Sequence, residues 1–150
     1  MNSPQPPTIQ IAVDCADPHP LARFWAAALH YELEDHHDQI EQLLAAGAIT
    51  TDDTIEIGGR RAFAVAAACR HAQGSGPRLL FQHVPEATRS EVRVKNPLHL
   101  DLHHLEGDEF REAEVARLIE LGATRLWDGQ QGPQRWVTMA DPEGNEFCVA

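Results

Sequence analysis

The chain has no long apolar run and little cysteine or positive charge, and neither a membrane-crossing helix nor a secretory signal is expected in it. Its 150 residues contain no run of about 18 apolar side chains, so no helix in it can cross a bilayer. The stretch from Met1 to Pro7 has no basic segment leading into an apolar one, which argues against a secretory signal there. Residues 1–7 read instead as a short disordered lead. Cysteine is scarce. Cys15, Cys69 and Cys148 fit no metal or redox spacing, and an odd count argues against a disulfide framework. The expected compartment is a reducing cytoplasm. Positive charge is short as well: Lys and Arg number 12 against 23 Asp and Glu, for a net charge of −11. Nucleic acid and anionic membranes are therefore not expected as partners, because both would be repelled. The acidity is spread along the chain and reads as a solubility feature.

What the chain does have is apolar content, 43% of all residues, and a repeat. Ile9-Gln10-Ile11-Ala12-Val13-Asp14 leads into a helix-like run from Leu21 to Leu29. Leu98-His99-Leu100-Asp101-Leu102-His103 leads into a second helix-like run from Asp108 to Leu121. Both openings alternate apolar and polar side chains, the two-residue period of a strand with one buried face. Ile9, Ile11 and Val13, like Leu98, Leu100 and Leu102, are expected to pack on helices. The lead precedes one domain over 8–150, built from a first module (8–84), a connector (85–97) and a second module (98–150).

The remaining elements follow from local signals. Asp17 can cap the first helix, with Pro18 or Pro20 in its first turn and Leu21, Phe24, Trp25, Ala28 and Leu29 as its apolar stripe. Tyr31 to His37 reads as a short strand and turn. Asp38 to Gly47 reads as a short helix with Ile40, Leu43 and Leu44 inward and Gly47 as its left-handed cap. Thr54 to Ile57, Gly58-Gly59 and Arg60 to Ala68 read as a hairpin, Arg70 to Pro77 as a loop and Leu79 to His83 as a strand. The connector carries Arg89, Arg93 and Lys95, either a solvated loop or an anion clamp. Asp108 can cap the second module's helix, with Val115, Leu118 and Ile119 inward and Gly122 at its end. Strands are expected at Thr124 to Trp127, Arg135 to Met139 and Glu146 to Ala150. Asp128 to Pro133 should form a loop, and Asp141 to Asn145 a tight turn. The fold class is α+β: two βαβββ modules forming a curved mixed sheet, helices on its convex face and a cup on the other.

Parity says what lines the cup. If Leu79, Phe81, Val137, Met139, Phe147 and Val149 face the helices, the cup receives Gln82, Trp136, Thr138, Glu146 and Cys148. Gln10, Asp14, His99, Asp101 and His103 join them from the first strand of each module. An aromatic wall with a few convergent polar groups is the usual form of a small-molecule site. For Asp14, His103 and Glu146, near strand ends, the plain alternative is the wet side of an open sheet. His99 is either a site residue or a hydrogen-bonded structural histidine. Cys148 is either a nucleophile or an inert buried thiol.

These residues resemble the vicinal oxygen chelate superfamily, which includes glyoxalase I, bleomycin-resistance proteins and extradiol dioxygenases. The likeness is carried by Asp14-Cys15-Ala16-Asp17-Pro18 with Phe24-Trp25, by Arg78 to Gln82, by His99 to Leu102, by Trp136 to Met139 and by Asp141 to Cys148. Within the superfamily, bacterial glyoxalase-like domain proteins are the nearest likeness. The resemblance implies paired βαβββ modules and a homodimer. It also implies metal ligands on the first and last strand of each module, here Gln10, Gln82, His99 and Cys148. Metal-using relatives hold histidine or glutamine, glutamate, histidine and glutamate there, so both carboxylates are missing. A hard divalent ion needs anionic oxygen to offset its dehydration. The expectation is a small organic molecule bound by Gln10, Gln82, His99, Asp101, Trp136, Thr138 and Cys148, without the usual metal. The alternative is a metal-dependent lyase or isomerase, with His99 and Glu146 as catalytic candidates and a divalent ion on His99, Gln10 and Cys148.

Overall fold

Alternation in the sequence becomes alternation in burial. The computed structural model describes residues 9–85, 98–103, 108–131 and 134–150. The lead over 1–7 and the connector residues Arg89, Arg93 and Lys95 lie outside these. The chain divides between Val84 and Pro85 into two compact units, each with its own sheet and core.

The first unit runs β1 (Gln10–Cys15), α1 (Pro18–Leu29), β2 (Glu32–Leu33), α2 (His37–Ala45), β3 (Thr54–Ile57), β4 (Arg60–Phe63), β5 (Ala66–Arg70) and β6 (Arg78–His83). Its four-stranded sheet has the order β1-β6-β5-β2. The second runs β7 (Leu100–Leu102), α3 (Asp108–Glu120), β8 (Thr124–Gln131), β9 (Gln134–Ala140) and β10 (Glu146–Val149), in the order β7-β10-β9-β8. With α2 and the β3–β4 hairpin set aside as an insertion, both units read strand, helix, three strands. In both, the first strand lies parallel to the last and the rest of the sheet is antiparallel. A parallel neighbour demands a crossover, and each unit's helix supplies it.

Helix α1 begins where Asp17 accepts the backbone N–H of His19, and it ends at His30 in the left-handed region. Leu21, Phe24, Trp25 and Ala28 are buried, and the helix packs on β5 and β6 against Leu79 and Phe81 of that sheet's inner face. In the second unit α3 packs on β8 and β10, and Val115, Leu118, Val137, Met139, Phe147 and Val149 form the core. The Asp141 to Asn145 turn is tied by one buried carboxylate. Asp141 accepts from the backbone N–H of Glu143 and Asn145 and from the Asn145 side chain.

Several expectations are corrected. Ile9 and Leu98 are 70% and 83% exposed, because the ladders begin after them, at Gln10 and Leu100. Ile119 is 46% exposed: the buried stripe of α3 is Glu114, Val115 and Leu118, which turns Ile119 to the flank at about 100° per residue. Glu114 is tolerated inside because Arg117, one turn on, pairs with its carboxylate. Asp108 is the first residue of α3 itself. Arg60 to Ala68 is two strands, since the chain turns at Ala64 and Val65, where Ala64 donates to Asp53 and Val65 accepts from His83. Asp128 to Gln131 is strand rather than loop, with Gly129 paired to Trp136.

Module one is laced by one carboxylate. Glu34, only 12% exposed at its side chain, accepts from Arg78 Nε at 2.7 Å and Nη2 at 2.6 Å. The Arg78 hydrogen bonds are the main reason its carboxyl lies below the ordinary 4.5, against an opposing effect of burial. A carboxyl lowered in the folded chain adds stability that is present above its unfolded value and lost as pH falls through the folded one. Urea midpoints should therefore fall on acidification through about pH 5 to pH 3. Glu34→Gln should be less stable than the parent at neutral pH and show a shallower acid fall. Parallel curves for the two proteins would refute this.

Candidate functional site

Three registers set the site in module two. Asp101 lies opposite Cys148 on the β7–β10 ladder, Cys148 opposite Thr138 on β10–β9, and Thr138 opposite Trp127 on β9–β8. Cross-strand neighbours share a face, so Asp101, Cys148, Thr138 and Trp127 make one row across the four-stranded sheet. The face opposite this row is the apolar one that meets α3. Around the row lies a hollow of about 530 Å3, also lined by His99, His103, Trp136 and Glu146. Each module-two residue that parity assigned to the cup lines it.

His99 comes just before β7 and its imidazole reaches the side chain two residues on, which shares its face of the strand. Its Nδ1 lies 2.9 Å from Asp101 Oδ1. A carboxylate oxygen only accepts, so in this contact Nδ1 is the donor, and Nε2 is the ring nitrogen not engaged by Asp101. Cys148 Sγ is 3.7 Å from Thr138 Oγ1. Cys148 is half-buried at the hollow, whereas Cys15 and Cys69 are buried in module one. Burial, with Glu34 nearby, pushes the Cys69 thiol up to about 12, which keeps it protonated and inert.

Residues beyond those read from parity also line the hollow. Trp127 reaches it through a β-bulge between Arg125 and Trp127. Without the extra residue, Trp127 would oppose Val137 and face the helix. Gln134 and Arg135 line the hollow from the start of β9, just past the segment expected to be a loop. Only the indole of Trp127 itself signalled a role, because a bulge has no pattern in one sequence.

Of the module-one candidates, Gln82 is exposed on β6 opposite Asp14, and Gln10 is exposed on β1 opposite Arg78. Gln10 Oε1 accepts from Arg78 Nη1 at 2.6 Å. That oxygen is the atom a metal would need, and the guanidinium holding it repels a second cation. The amide pair therefore does not fit the oxygen-rich divalent centre that the superfamily resemblance implies. In module two, His99, Asp101 and Cys148 each offer a ligand atom within 4.8 Å of the others. That mixed nitrogen, oxygen and sulfur set suits a zinc-like ion rather than a hard one. His103 is not part of it.

Trp136 lies flat across its partner strand. A Cβ on Gly129 would clash with the Trp136 indole at Cε2, Cζ2 and Nε1. Glycine there is what lets the aromatic wall stand close. Gly129→Ala should displace the indole and shift tryptophan emission toward that of a Trp136→Phe reference, with far-ultraviolet dichroism unchanged. Emission identical to the parent would show that the strand yields instead.

Residues 10–150 match the family described as the glyoxalase-like domain. Solved structures share the fold at low identity. A glyoxalase/bleomycin resistance protein/dioxygenase family enzyme from Burkholderia phytofirmans has a TM-score of 0.60 at 13% identity, over 93% of this chain and 94% of that one. Lactoylglutathione lyase from Agrobacterium tumefaciens gives 0.54 at 12%, over 97% and 93%. A mutant of the fosfomycin resistance protein of Listeria monocytogenes, in complex with Mn(II) and 1S,2S-dihydroxypropylphosphonic acid, gives 0.55 at 12%, over 99% and 90%. With a family match across almost its whole length and this repeated βαβββ order, the chain belongs to the glyoxalase-like domain family, within the glyoxalase, bleomycin-resistance and dioxygenase superfamily.

Proposed function

We propose that module two binds a small organic molecule in its hollow, without the oxygen-rich divalent centre known from the superfamily. The observation that carries this is the hollow itself. Its volume falls within the ~300–1,000 Å3 of ordinary ligand pockets, and it pairs two indoles with a short row of polar groups. The Listeria relative was solved with a small oxygenated phosphonate. A small oxygenated molecule is the class carried over here. The metal is not carried over, because Arg78 occupies the Gln10 oxygen. A ligand would lay an apolar face on Trp136 and Trp127 and offer polar atoms to His99, Thr138 and Glu146.

The His99–Asp101 pair favours a second reading, a lyase or isomerase. Asp101 orients the ring through Nδ1 and leaves Nε2 facing away from the carboxylate as the candidate basic atom, and half-buried Glu146 in the same hollow is a candidate proton donor.

Two measurements separate these. Tryptophan fluorescence titrated with a panel of oxoacids, thiol adducts and epoxides should show saturable quenching, lost in Trp136→Ala. No quenching by any member would count against binding. Metal analysis of protein purified without added ions should find less than stoichiometric metal, and a full equivalent would overturn the metal-free reading. If the panel reveals turnover, His99→Ala should cut it by about 100-fold or more while the fold survives. Unchanged turnover would remove His99 as base.

A further inference from the structure

The insertion builds a second hollow, of about 230 Å3, wholly within module one. It lies between α1, β5 and the β3–β4 hairpin. Polar clamps hold the hairpin in place. Arg60 pairs with Asp35 at 2.6 Å and Arg61 with Glu41 at 2.7 Å. His37 Nδ1 accepts the Arg61 backbone N–H, and His19 Nε2 donates to the Phe63 carbonyl at 2.8 Å. The lining is mostly apolar: Ala22, Ala62, Phe63 and Ala67 lie inside, with Leu33 and Ile57 at 48% and 39% exposure.

Charge accounting leaves one residue over. Of the charged residues that line this hollow, Glu34 is matched by Arg78, Asp35 by Arg60 and Arg61 by Glu41. The side chain of Arg23, exposed on α1, has no hydrogen-bond or ion-pair partner among the described residues. An apolar chamber with a single unmatched guanidinium selects a ligand that is greasy along its body and carries one negative charge. We propose that this hollow binds a small carboxylate with a short hydrocarbon tail, the carboxylate on Arg23 and the tail against Phe63 and the β5 alanines. Its volume is below the ~300 Å3 floor of drug-sized pockets, which keeps the tail short. A dianion such as a phosphate ester fits less well. One guanidinium neutralises one charge, and the second would face Glu34 and Asp35 in a chain already at −11. The carboxylate also matches the planar fork of arginine.

Hexanoate and its uncharged counterpart hexanamide test this on the full chain, followed by backbone amide shifts in two-dimensional NMR. Hexanoate should saturate, with shifts centred on Ala22, Phe63 and Ala67. Hexanamide should bind at least about tenfold more weakly. Arg23→Gln should bring hexanoate down to the level of the amide, and Arg23→Lys should weaken hexanoate while keeping a preference for the acid over the amide. Ala67→Phe, which fills the chamber, should abolish both. Equal affinity for the acid and the amide, absence of saturation, or shifts centred on Cys148 in the other module would overturn the proposal.

Discussion

Each module depends on one ladder, the parallel pairing of its first strand with its last. Everything local is indexed to it. The β1–β6 ladder sets Asp14 against Gln82 and Gln10 against Arg78, and the β7–β10 ladder sets Asp101 against Cys148. Parallel neighbours force a crossover, the crossover is a helix, and that helix needs an apolar sheet face beneath it. Once Phe147 and Val149 are committed to that face, period two sends Glu146 and Cys148 to the other. The polar row of module two thus follows from packing on its opposite side.

The same frame carries unlike contents. In module one, Arg78 links Gln10 on β1 to Glu34 beyond β2, so groups that would serve as ligands are consumed by structure. In module two the corresponding face stays open and collects an imidazole, a carboxylate, a thiol and two indoles. A duplicated scaffold lets one copy tie its polar groups to each other while the other gathers them round a hollow. This difference, together with the missing carboxylates, supports the proposal of a site without the superfamily's oxygen-rich divalent centre.

Much of this was legible in the residues. Alternation at Ile11 and Val13, at Leu79 and Phe81, and at Val137 and Met139 identified the buried faces, since burial is the strongest constraint on a strand. The cup-facing set in module two followed by subtraction. What was hidden depends on tertiary geometry. The bulge that turns Trp127 adds one residue and leaves no periodic mark. The Arg78–Gln10 bond needs a register that no single strand encodes. Ile119 looked inward until paired Glu114 took its place. The hairpin broke where Ala64 and Val65 bond to Asp53 and to His83 of β6, a choice that composition does not announce. The Asp128 to Gln131 segment is rich in turn formers yet extended, because Gly129 there accommodates an indole instead of a turn.

The bulge in β8 has one more consequence. Beyond it, every side chain on that strand is read in a shifted phase. A single-residue deletion or insertion near Leu126 would exchange the two sets of residues on the strand, inside for outside, while the hairpin persisted. Lineages carrying this scaffold could therefore acquire a new pocket wall through one codon gained or lost, a larger change in chemistry than any point substitution on the same strand could make.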